Sequence, residues 1–232
     1  IVQNEYVLEG FAGIPEIFTK DAYDSYYRQY NSSNQLAGGR YRPLSILTFA
    51  IEQQFFGPIP ENKIDSFFNH TITFGVKDPH EKVLLHDMHI RHFLSVLWFT
   101  ASVIVLLYFL RYIVFRSNPI MALLATIIFT IHPIHTEVIA NVKSRDEILS
   151  LLFICLAFIF AFKYQRGNIK KHLWYALLFY FLALLSKEYG VTVLALLPLS
   201  LYLFNNDTPK RSILAILPFL AVTGLYMAIR AS

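Results

Sequence analysis

The sequence has a single cysteine, Cys155, among 232 residues, so no intrachain disulfide can form and the redox compartment is left open. Charge is scarce as well: Asp, Glu, Lys and Arg make up 16% of the chain, and the apolar stretches of the second half carry almost none internally. No basic run with interleaved aromatics stands outside the short loops between those stretches, which argues against nucleic acid as a partner despite a net charge of +4. No glycine-rich strand-turn-helix fingerprint occurs, so a nucleotide-sugar or dinucleotide fold has no foothold. No helical repeat of roughly 34 residues is visible either. The chain begins at Ile1 without an initiator Met or signal peptide and stops just after an apolar block, and both ends are expected to lie inside something longer.

What is abundant is hydrophobicity, at 55% of residues with a mean hydropathy of +0.45, and it comes in blocks. From Phe93 onward about six blocks follow one another: 93–115, 119–134, 147–162, 173–186, 190–204 and 212–229. Several are shorter than the roughly 20 residues of a straight span, a deficit that helical flanks, snorkelling or local thinning covers. A soluble all-α core needs a polar face on each helix, and Leu149 to Phe162 has none. The expected fold is therefore an all-α membrane protein, a polytopic bundle over 90–232 with about six spans, preceded by a loop region over 1–89 that carries amphipathic juxtamembrane helices. In that region Pro43, Leu44, Leu47, Ile51 and Phe55 fall at helical spacing before a Gly57-Pro58 stop. Ser45, Glu52 and Gln53 form the other face, so this helix is expected to lie flat on a bilayer. A second helix is expected from Pro15 to about Tyr30, and 57–80 reads as loop.

Lys and Arg in the short loops set the orientation. Arg111 and Arg116, then Lys163, Arg166, Lys170 and Lys171, then Lys210 and Arg211 fall in alternate loops, which assigns those loops to the cytoplasm. The loops around His132 to Glu147 and Ser186 to Gly190 then share the exoplasmic side with 1–89. Every segment with chemistry-capable residues lands on that one face.

Three constellations stand there. In His132-Pro133-Ile134-His135-Thr136-Glu137 and its continuation to Glu147, a helix over Ile134 to Asp146 would put Glu137, Asn141, Ser144 and Arg145 on one face. His132, His135 and Glu137 could hold a divalent metal, but the spacing is not that of a metalloprotease helix and gives no closed ligand set, so no metal is favoured. Interfacial caps and snorkelling charges would look the same. Lys187 and Glu188, hinged by Gly190, could serve as a membrane anchor or, with Arg145, as a phosphate site. Gly38-Gly39-Arg40-Tyr41-Arg42-Pro43 presents Arg40 and Arg42 at a helix start, which suits an anion or anionic lipid. The Asn-x-Ser/Thr matches at Asn31, Asn69 and Asn206 are too common to use.

Tyr41-Arg42-Pro43-Leu44-Ser45, His132 to Glu137, Ser144-Arg145-Asp146-Glu147 and Ser186-Lys187-Glu188, in this order, resemble the membrane part of the transmembrane and tetratricopeptide-repeat-containing proteins and their bacterial relatives. That family is similar to the protein O-mannosyltransferases and belongs to the GT-C glycosyltransferases. The resemblance covers nearly the whole chain. It implies a multi-span enzyme of the bacterial inner membrane or endoplasmic reticulum that passes a sugar, mannose or similar, from a polyprenyl-phosphate carrier to a protein or glycan acceptor, commonly a Ser/Thr hydroxyl, on the exoplasmic face. No cofactor is expected, and the partners are the carrier, the acceptor and membrane lipid. Two features depart from the family. The acidic pair that follows its first transmembrane helix, one member of which is its expected base, is anticipated just before Ile1. The repeats expected downstream are absent from the sequence.

A phosphate is already a good leaving group, so the transfer needs a carboxylate base on the acceptor side and cations on the phosphate, without a strong general acid. Arg145, Lys187, Arg40 and Arg42 are the phosphate candidates, with His132, His135 and Glu188 beside them, and Glu137 and Asp146 are supporting carboxylates that orient cations or sugar hydroxyls. A transporter or flippase would instead place charges or broken helices in mid-span. A non-catalytic scaffold for a repeat domain is the third reading.

Overall fold

The computed structural model describes residues 4–22, 24, 40–56, 79–205 and 207–231, with backbone alone for 79–88 and 231. The Gly38-Gly39 pair, Asn31, Asn69, Asn206, residues 23 and 25–30 of the second expected helix, and 57–78 lie outside the described residues. The helix expected from Pro15 to about Tyr30 instead ends at Thr19, because Lys20 turns extended at φ −125° and ψ 161°. Within them the chain is all helical, with no strand. Short helices α1 (Glu5–Leu8) and α2 (Ile14–Thr19), joined by a 3-10 turn at Gly10–Gly13, precede α3 (Pro43–Phe56). Then come α4 (Pro79–Phe109), widening into a π turn at Leu110–Val114, α5 (Pro119–Ile131), α6 (Ile134–Ala140) and α7 (Arg145–Gly167). The chain finishes with α8 (Lys170–Ser186), α9 (Val193–Asn205), α10 (Pro209–Leu214) and α11 (Leu217–Ala231).

Local chemistry explains the boundaries. Asn118 accepts from the Met121 N–H at 3.2 Å with Pro119 as first helical residue, and Thr208 with Pro209 starts α10 in the same way. Helix α7 ends where Asn168 takes a left-handed φ of 50°. The single helix expected over Ile134 to Asp146 is not formed. Asn141 turns extended, its side chain accepts from the Lys143 N–H at 3.1 Å, and a 3-10 turn at Val142–Ser144 separates α6 from α7. An Asx turn competes with helix continuation, so the expected polar face is cut in two.

Among the described residues four helical stretches are long and apolar enough to cross a membrane: His89–Val114, Val142–Gly167, Glu188–Asn205 and Pro209–Arg230. Helices α5 and α6, bent by 64° at Pro133, make a fifth if they count as one span. The count is thus four to five where six were expected. The missing one is α8, whose 17 residues reach only about 25 Å against a hydrocarbon core of roughly 30 Å.

Helix α7 is the centre of the bundle, with 56% of its most apolar window buried against 17% for the outer spans α4 and α11. It packs most extensively along α8, where Ala157, Ala161, Ala176 and Ala183 are all buried. Small side chains let the two backbones approach, which in lipid substitutes van der Waals contact for a hydrophobic driving force. Helix α4 covers another face of α7, tied by Ser102 Oγ donating to the Ile148 carbonyl at 3.2 Å. Helix α11 leans on α8 through Tyr180 and Thr223, whose hydroxyls are 2.7 Å apart.

The bundle has two chemically different ends. At one, the turns after α4, α7 and α9 are laced together by Arg116 donating to the Phe204 carbonyl, Arg166 to Asn205 Oδ1 and Arg211 to the Gln165 carbonyl. At the other end lie the first turn of α7, the α8–α9 connection and α3. Helix α3 faces opposite to a helix with its polar side in water: Ser45, Glu52 and Gln53 are buried against the bundle, while Ile51, Phe55 and Phe56 point outward. The flat-lying arrangement with an outward polar face is therefore replaced by one with polar groups inward, because Glu52 has a buried cation to meet.

Candidate functional site: a charge network at one end of the bundle

Arg145 opens α7 and is fully buried. Its Nε and Nη2 donate to Ser95 Oγ at 3.2 and 3.0 Å, Nη2 also to the Arg91 carbonyl at 2.8 Å, and Nη1 to Thr48 Oγ1 at 3.2 Å and to the Glu52 carboxylate. The guanidinium stacks 4.0 Å from the Phe49 ring centroid. All its donor positions are spoken for by protein acceptors and one face by an aromatic ring. The expectation that Arg145 holds a phosphate thus meets a geometry in which it clamps α3 and α4 onto α7.

Next to this inner clamp is an outer layer of alternating charge. Arg42, just before α3, gives Nη1 to Asp146, and Nε and Nη2 to the two oxygens of Glu188 at 3.2 and 3.4 Å. Burial alone would lower the Arg42 pKa, but the Glu188 hydrogen bonds and the charges of Asp146 and Glu188 outweigh it and raise the value. Lys187 Nζ donates to Glu147 at 2.7 Å and sits 4.3 Å from the Tyr189 ring centroid. The network reads Glu147–Lys187 on one side and Glu188–Arg42–Asp146 on the other.

The backbone sets these pairings. Asp146 and Glu147 occupy the first turn of α7, where the helix dipole favours carboxylates, and Asp146 Oδ1 also accepts from the Glu147 N–H at 2.9 Å. Helix α8 stops at Lys187, which is extended at φ −159°, and a 3-10 turn over Glu188–Thr192 sends neighbouring side chains to different partners. Gly190 permits this turn: a Cβ there would lie 3.1 to 3.2 Å from backbone atoms of Leu184 and Ala183. Tyr41 anchors the Arg42 segment by donating to the Phe18 carbonyl at 2.8 Å, and burial raises its pKa.

Arg42, Asp146, Lys187 and Glu188 are therefore brought together, with Arg145 behind them. Arg40 lies two residues before Arg42, exposed, its carbonyl accepting from the Ala22 N–H at 3.1 Å. His132, His135 and Glu137 stand apart on the α5–α6 bend. His132 Nδ1 accepts from the Ile134 N–H, His135 packs against Phe99 and Phe129, and Glu137 is exposed. Among the described residues no group of three or more His, Cys, Asp or Glu could hold a metal ion. Glu52, Thr48, Arg91 and Ser95 are the participants that the motifs did not name. The available signal was an acid at Glu52 and a base at Arg91 in or beside apolar helices, where ionised groups are costly unless paired.

Among the described residues the fold is all helical, with several helices long and apolar enough to cross a membrane and a buried charge network at one end of the bundle. No protein-family model and no solved structure matches the chain. Curated proteins do. It is 33% identical over 168 residues to the protein O-mannosyl-transferase TMTC4 of Mus musculus, covering 67% of this chain and 20% of that protein. The human TMTC4 is 32% identical over 166 residues with the same coverages, and human TMTC1 is 28% identical over 94% of this chain and 22% of its own length. The chain is a distant homologue of the TMTC protein O-mannosyl-transferases, in their membrane region. It spans about a fifth of the length of the curated relatives it matches.

Proposed function

We propose that this chain forms part of a GT-C-type glycosyltransferase that takes mannose or a similar sugar from a polyprenyl-phosphate carrier to a protein hydroxyl, with the site at the exoplasmic edge of the bundle. The kinship with protein O-mannosyl-transferases supports the reaction class. The observation that carries the assignment to this edge is the Arg42–Asp146–Glu188 network beside Lys187–Glu147. In this reading Arg42 and Lys187 exchange carboxylates for the leaving phosphate, and Asp146 and Glu188 orient Arg42. Arg145 acts as a positioning residue. The proposed topology counts α8 as a short span and α5 with α6 as one, which makes six, and puts the arginine-laced end in the cytoplasm. Edge chemistry is also favoured over transport: α7 carries its charges in its first turn and none from Ile148 to Phe162.

The test is transfer of labelled mannose from a polyprenyl-phosphate donor to an acceptor peptide in membranes containing the whole transferase of which this chain forms part, with Arg42→Ala beside wild type. Loss of transfer with normal expression and thermal stability is expected. Normal transfer by Arg42→Ala would remove Arg42 from the site.

A further inference from the structure

At the end of the bundle away from the charge network, an apolar groove of about 290 Å³ opens between the end of α4, the middle of α7 and the outer face of α9. Phe109, Ile154, Phe158, Leu196, Leu199 and Leu203 line it. Its lining hydroxyl, Ser200 Oγ, already donates to the Leu197 carbonyl at 2.8 Å, so the groove offers a ligand almost nothing but hydrocarbon. The groove ends at Phe204, and Arg116 Nη2 donates to the Phe204 carbonyl at 3.1 Å. Arg111, in the π turn that follows Phe109, donates to the Arg116 carbonyl at 3.0 Å. Among the described residues no carboxylate pairs with either arginine, and the nearby Asp207 is engaged by Arg211 and Asn205. Among the described residues two cations without counter-ions thus stand at the mouth of a greasy slot, and Leu196, Leu199 and Leu203 of its lining are exposed on the outside of the bundle.

We propose that this is a site for an anionic phospholipid, with one acyl chain in the groove and the phosphate on Arg116 and Arg111. A chain alone would not need the arginines, and a free phosphate would not need the groove. The two together match an anionic lipid, held by a fixed positive rim in place of the diffuse attraction of scattered lysines. The proposal rests on membrane embedding alone and is independent of the transferase reading.

The test is native mass spectrometry of the detergent-purified protein titrated with palmitoyl-oleoyl phosphatidylglycerol or phosphatidylcholine. Wild type should retain one phosphatidylglycerol preferentially. Arg111→Gln with Arg116→Gln should weaken that retention roughly thirtyfold, about fivefold per cation removed. Ser200→Phe, which fills the slot, should weaken it with the rim intact. Lys170→Gln with Lys171→Gln, the same charge change on the same end, should leave it unaltered. Equal uptake of both lipids by wild type would overturn the proposal without recourse to any variant. Equal losses in the arginine and lysine doubles would reduce the effect to surface charge, and unchanged retention in Ser200→Phe would place the chain outside the groove; either overturns the site.

Discussion

Arg145 and Glu52 form an ion pair inside the bundle although 93 positions separate them, and the pair fastens the juxtamembrane helix α3 to the first turn of α7. Both side chains are almost wholly shielded, at 0% and 7% exposure, so the pair offsets part of the hydration that each loses. Removing either partner breaks this buried ion pair. Glu52→Ala or Arg145→Ala should therefore destabilise by roughly 3–5 kcal/mol, whereas Arg145→Met combined with Glu52→Leu should cost far less than either single change. Thermal unfolding of the four proteins in one detergent checks this. Additive losses in the double variant would mean that the two residues act independently.

Arg42 calls for a different substitution. Its guanidinium reaches Glu188 through two nitrogens and Asp146 through a third contact, a fork that a lysine ammonium cannot reproduce. On the proposed function Arg42→Lys should keep the fold and lower sugar transfer by about ten- to a hundredfold, the worth of one charge-assisted hydrogen bond of roughly 1.5–3 kcal/mol. Steady-state transfer rates and melting temperature, measured together, separate lost phosphate handling from lost folding. A rate equal to wild type would mean that the fork has no part in the reaction.

How much of this arrangement is legible in the sequence depends on the residue. Arg42, Asp146, Lys187 and Glu188 stand out by charge type at the borders of apolar blocks, and they do meet. Their pairing is not legible, since it depends on the turn at Lys187 and on how α3 docks. Glu52 was visible only as one element of a polar stripe, and the stripe turned inward because Glu52 pairs with the buried Arg145. Glu137 reads as sharing a helical face with Arg145, but the Asn141 turn breaks that helix and leaves Glu137 with His132 and His135 on a separate bend. The helical blocks were legible because hydropathy is blind to such turns. Their lengths were not: polar flanking residues carry α7 from Arg145 to Gly167, past both ends of the apolar run of 147–162.

Gly190 tests whether the Lys187–Glu188 turn is built or incidental. A Cβ added there meets the backbone of Ala183 and Leu184, which cannot swing aside as a side-chain tip can. Gly190→Val should cost about 1–3 kcal/mol of stability, the usual range for overpacking. It should also reduce transfer by more than that loss predicts, since the turn aims Lys187 at Glu147 and Glu188 at Arg42. Comparison with Gly224→Ala serves as control, because nothing lies within 4 Å of a Cβ at Gly224. A variant as stable and active as that control would show that the turn tolerates a side chain.

The orientation of the whole bundle can be settled with single cysteines. Cys155 is buried within α7 at the wall of the apolar groove and is first replaced by alanine, a change of one atom. Cysteine is then placed at Asn168, in the turn after α7 among the laced arginines, or at Thr136, exposed on α6 at the other end. If the arginine-rich turns face the cytoplasm, as the excess of Lys and Arg in them argues, position 136 should react with an impermeant maleimide in intact cells and position 168 only after permeabilisation. The same experiment separates counts of spans. Residues 168 and 187 lie at opposite ends of α8, so a cysteine at exposed Tyr189 should label with 136 if α8 crosses the bilayer, and with 168 if it does not. Labelling of 168 in intact cells would invert the bundle. The network around Arg42 would then face the cytoplasm, and an exoplasmic transfer at that edge could not stand.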